Sequence, residues 1–87
     1  MLGNYSDALA YAEDAEKMAT KAGNTRDIAL SCKILGDIHL ATDKEGKVKA
    51  EGFYRRSLDN YQKLGDKIQI AKLQRVIELI SNPSPIE

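Results

Sequence analysis

At 87 residues the chain can form one compact unit with a thin core and no more. Thirteen Lys and Arg balance thirteen Asp and Glu, which argues against a nucleic-acid binder, whose phosphate contacts call for a basic excess. Cys32 is the single cysteine, so an internal disulfide is excluded; no Cys/His cluster has metal-ligand spacing, and a reducing, cytoplasmic setting fits. No apolar run approaches the ~18 residues of a membrane span, and no leading segment resembles a signal peptide.

Four helical patterns follow one another without strand-like alternation. The first is expected over 5–22. It carries small residues at Ala8, Ala12, Ala15, Ala19 and Ala22, the spacing of one helix face. Asn4 suits its N-cap and Gly23 its C-terminal stop. The second is expected over 25–42, opened by Asn24 with Asp27. It is apolar on two sides: Ile28, Cys32, Leu35 and Ile38 form one stripe, Leu30, Ile34 and Ala41 the other. Such a helix either lies between neighbours or offers one side to a ligand.

A polar turn around Asp43-Lys44-Glu45-Gly46 separates the halves. The third helix is expected over 46–64, with Ala50, Tyr54, Ser57, Leu58, Tyr61 and Leu64 in register. Gly65 ends it, and Asp66 with Gln69 reads as a capping box for the fourth helix, over 67–81. That helix carries Ile70, Leu73, Ile77 and Ile80 on one stripe. Asn82-Pro83-Ser84-Pro85 stops it, because proline lacks a donor and fixes φ. Residues 83–87 read as a disordered tail, and 1–82 as one repeat domain.

The halves repeat. Gly23-Asn24-Thr25-Arg26-Asp27-Ile28-Ala29 returns as Gly65-Asp66-Lys67-Ile68-Gln69-Ile70-Ala71, an offset of 42 residues. At the same offset Ala8 falls on Ala50, Tyr11 on Phe53 and Ala22 on Leu64. Periods of this size mark stacked helix pairs that cannot bury their apolar faces alone.

Leu35-Gly36, followed after the turn by Ala50, Tyr54 and Ser57-Leu58, resembles the tetratricopeptide repeat, a helix-turn-helix unit. His39 stands where that family usually has an aromatic. The family unit is about 34 residues long. This one is longer, and together with Leu35-Gly36-Asp37 it resembles the long repeats of scaffold and signalling-regulator arrays. The resemblance implies an all-α, right-handed superhelix of antiparallel pairs, here starting with a second helix that lacks its first. Ile77-Glu78 replaces Leu-Gly, so the fourth helix reads as a cap. The chain reads as part of a longer array.

In this family the first helix of each unit lines a concave groove. Carried over by position, the groove is Leu30, Lys33, Ile34, Asp37 and Ala41, continued by Lys72, Arg75, Val76 and Leu79. It implies a non-catalytic module that binds a protein or peptide, with no cofactor, nucleic acid or membrane as partner. A terminal-carboxylate clamp is disfavoured, since Ile34 and Asp37 stand where asparagines would be needed. The alternative is a self-associating structural element, a homodimer or helix-swapped assembly through its end helices. His39 lacks the partners of a general base or metal ligand, and Cys32 lies on the inward stripe. The Arg55-Arg56 pair sits among aromatics whose spacing suits a core better than base stacking.

Overall fold

A computed structural model describes residues 5–42 and 46–81. The N-cap expected at Asn4, the 43–45 turn and the tail at 83–87 lie outside the described residues. The described chain is four helices, α1 (Tyr5–Ala22), α2 (Thr25–Thr42), α3 (Gly46–Leu64) and α4 (Lys67–Ser81), with no strand among the described residues.

The sequence repeat is also a repeat of hydrogen bonds. Gly23 and Gly65 both take φ of 70°, the left-handed conformation that ends a helix most easily at glycine. At the first joint the Gly23 N–H donates to the Thr20 carbonyl (3.1 Å) and the Asn24 N–H to that of Ala19 (2.9 Å). At the second, Gly65 donates to Gln62 (3.1 Å) and Asp66 to Tyr61 (3.2 Å). Both are Schellman closures. The residue after each glycine then caps the next helix: Asn24 Oδ1 accepts from the Asp27 N–H (3.0 Å), and Asp66 Oδ1 from the Gln69 N–H (3.2 Å). The reciprocal half of the capping box at Asp66 is not available. Its backbone N–H is already committed to Tyr61, so the preceding helix takes the donor that Gln69 would have used.

Successive helices pack on each other: α1 on α2, α2 on α3 and α3 on α4. Among the described residues no Cα atoms of α1 and α3, α2 and α4, or α1 and α4 come within 8 Å. The arrangement is serial and open. Its smallest dimension, 19 Å, is two helix diameters.

Two clusters hold it together. Ala29, Ala50, Tyr54, Tyr61, Leu73 and Ile77 join α2, α3 and α4, with Val76 and Ile80 packed against them. Ala12, Leu35 and Ile38 join α1 to α2, with Leu9 and Phe53 alongside. Small residues set the spacing. A Cβ on Gly36 would lie 2.7 Å from a Tyr54 ring carbon, so glycine there lets the ring lie against the α2 backbone. Burying each such large side chain contributes roughly 1.5–3 kcal/mol.

Polar links complete the stack. Ser57, fully buried, donates to the Ala29 carbonyl at 2.6 Å. The Tyr54 hydroxyl donates to the Asp37 carboxylate. Arg56 on α3 reaches α1, donating to Glu16 and to Thr20 Oγ1 (3.1 Å), and Thr20 in turn donates to Glu16 (2.9 Å). Arg26 meets Asp66 at 3.7 Å, so the two repeated joints lie at the same end of the molecule.

Candidate interaction surface

The second apolar stripe of α2 faces solvent. Leu30 is 47% exposed and Ile34 41%, and Ala41 is exposed, whereas Cys32, Leu35 and Ile38 on the first stripe are buried. Leu30 and Ile34 form one wall of a cleft of about 440 Å³ between α1 and α2. Ala15, Met18, Ala19 and Ala22 form the opposite wall, and Asn24 and Asp27 close one end. Met18 is 71% exposed. The α1 side of this cleft is absent from the groove inferred by position. The signal for it is the alanine stripe of the first helix, which stays partly uncovered.

The remaining residues of the inferred groove lie on α2 and α4. Lys33 Nζ and Asp37 form an i,i+4 pair at 3.1 Å, and Asp37 also accepts from Tyr54. The anion expected in the groove is therefore neutralised within α2 and tied to α3. Val76 is half-buried and packs against the core cluster. Lys72, Arg75 and Leu79 are exposed on α4. Among the described residues no Cα atom of α2 lies within 8 Å of one of α4.

Burial, and then the hydrogen bond to the Asp37 carboxylate, push the Tyr54 phenol above its ordinary range. The Cys32 thiol is pushed up by its burial; the nearby Arg56 guanidinium opposes the shift and Glu16 reinforces it. Hydrogen bonds from Arg55 and then from Ser81 hold the Glu51 carboxyl low. Arg55 is paired with Glu51 and Arg56 with Glu16, and Tyr54 and Tyr61 are buried, so these aromatics are core. His39 stacks on Phe53 with ring centroids 5.4 Å apart and planes within 3°. That gives the half-buried imidazole a packing contact across α2 and α3.

No group of three or more His, Cys, Asp or Glu among the described residues could hold a metal ion, and no described helix is long and apolar enough to cross a membrane. Comparison with models of known families, with curated proteins and with solved structures finds no match.

Proposed function

We propose that the chain is a non-catalytic interaction module of the long-period tetratricopeptide type, serving a larger intracellular scaffold or regulator by holding a peptide or helix. Support comes from the serial packing and from two joints with the same glycine closure and the same cap, 42 residues apart. The observation that carries the reading is the second apolar face of α2, with Leu30 and Ile34 exposed beside an open cleft. A surface built for nothing but solubility has no use for that stripe.

Selection of binders from a display library of peptides and short helices tests the reading. Selected binders should lose about tenfold in affinity, roughly 1.4 kcal/mol, on Leu30→Glu with Ile34→Glu or on Lys72→Glu with Arg75→Glu. Circular dichroism should show helicity unchanged. Binders indifferent to both pairs, or a chain that selects none, would refute it.

A further inference from the structure

The first and last helices carry stripes that complement each other. On α1, facing away from buried Ala12 and Ala19, stand Asp7, Tyr11, Asp14 and Met18. On α4, facing away from buried Leu73 and Ile77, stand Ile68, Lys72, Arg75 and Leu79. Both sets advance by four, three and four residues, the spacing of one stripe along a helix. All eight side chains are exposed.

Exposed apolar surface collects on these two stripes. Tyr11 (81%), Met18 (71%), Ile68 (68%) and Leu79 (66%) join Val48 as the large apolar residues more than half exposed among the described residues. The charges are opposite. The α1 stripe holds two carboxylates and the α4 stripe two cations, and among the described residues none of the four makes an ion pair. Within one molecule the stripes stay apart, since no Cα atoms of α1 and α4 come within 8 Å.

We propose that the α4 stripe docks on the α1 stripe of a second copy of this chain. With the two helices antiparallel, Ile68 comes level with Met18, Lys72 with Asp14, Arg75 with Tyr11 and Leu79 with Asp7. The 4-3-4 spacing reads the same from either end, so the levels coincide all along the contact. Arg75 meets the face of the Tyr11 ring with a carboxylate one turn to each side, an arrangement that favours a cation. Exposed ion pairs alone contribute little; here they select the partner and the register, and the apolar residues supply the buried area. A net charge of zero sets no overall repulsion against the pairing. Each copy offers one stripe of each kind, so the contact is head-to-tail and joins copies in a ring or a row. Leu30 and Ile34 on α2 take no part, so the proposal goes beyond the interaction-module reading and does not rest on it.

Sedimentation and light scattering of the whole chain across dilution test the pairing, with circular dichroism as the check on folding. Mass should rise with concentration and fall again with added salt. Lys72→Glu with Arg75→Glu, or Asp7→Lys with Asp14→Lys, should each raise the concentration needed for association by about tenfold or more. Mixing those two variants one to one should restore it, because each reversed stripe then finds an opposite partner and the native stripes still match. Leu30→Glu with Ile34→Glu should leave association unchanged. A chain that keeps monomer mass up to about 1 mM overturns the proposal, as does association indifferent to both charge reversals or a mixture that fails to recover. A monomer that instead binds an acidic helical peptide through Lys72 and Arg75 also overturns it, and gives the α4 stripe to a different protein.

Discussion

Three kinds of glycine behave differently under the same substitution. Gly36→Ala brings a methyl group within 2.7–2.8 Å of the Tyr54 ring. Overpacking of this kind costs about 1–3 kcal/mol, which offsets the ~1 kcal/mol gained in helix propensity, so the chain should be destabilised. Gly23→Ala and Gly65→Ala meet no atom within 4 Å, yet force alanine to φ of 70°, at about 1–2 kcal/mol each. Gly52→Ala, exposed inside α3 with nothing within 4 Å, should instead stabilise by about 0.5–1 kcal/mol. Urea denaturation of the four variants checks the signs; a destabilising Gly52→Ala would contradict the account. Tyr54 gives a pH dependence. Its phenol is held above the ordinary value of 10.0, so above that pH the unfolded chain loses the proton first. Stability is complete below about pH 10 and falls as the pH rises beyond it. Tyr54→Phe should flatten that fall in denaturation midpoints measured from pH 9 upward, and an equally steep fall in the variant would assign it elsewhere.

For the individual helices, the caps are the most local and the most readable devices. Asn24 and Asp66 each bind an N–H three residues on, and alanine at either should cost about 1 kcal/mol. Because the two joints match bond for bond, Asn24→Ala and Asp66→Ala should shift the midpoint by similar amounts, read by thermal or urea unfolding. A large disparity would mean that the Arg26–Asp66 contact at 3.7 Å contributes more than an exposed pair normally does. The helix patterns, the glycine closures and the inward stripe of α2 all follow from residues within a few turns of one another, which is why the sequence reveals them. The reciprocal capping bond at Gln69 fails for a reason of the same range but the opposite direction: α3 had already taken the Asp66 N–H.

Across the whole molecule, serial packing distributes stability unevenly. Helices α2 and α3 have neighbours on both sides, whereas α1 and α4 each pack on one. Amide exchange in α1 and α4 should therefore proceed at lower opening free energy than in the buried turns of α2 and α3. The Arg56–Glu16–Thr20 link is the main polar restraint on α1, so Arg56→Ala should speed exchange in α1 and leave α4 unchanged. Uniform protection across the four helices would argue against an open stack.

Of the candidate surface, periodicity alone found the exposed face of α2, because Leu30 and Ile34 fall opposite the stripe of Cys32, Leu35 and Ile38. Register alone could not say that Asp37 would be taken up by Tyr54 and Lys33, that Val76 would be half-buried against the core, or that Met18 and Ile34 would line one cleft. Helix type, helix ends and the 42-residue repeat were determined by the sequence, since they depend on neighbours along the chain. Which apolar stripe is covered and which is left exposed was decided only by the tertiary structure. Coverage depends on residues up to 40 positions apart, such as Arg56 and Glu16, meeting across separate helices, and no local pattern encodes that.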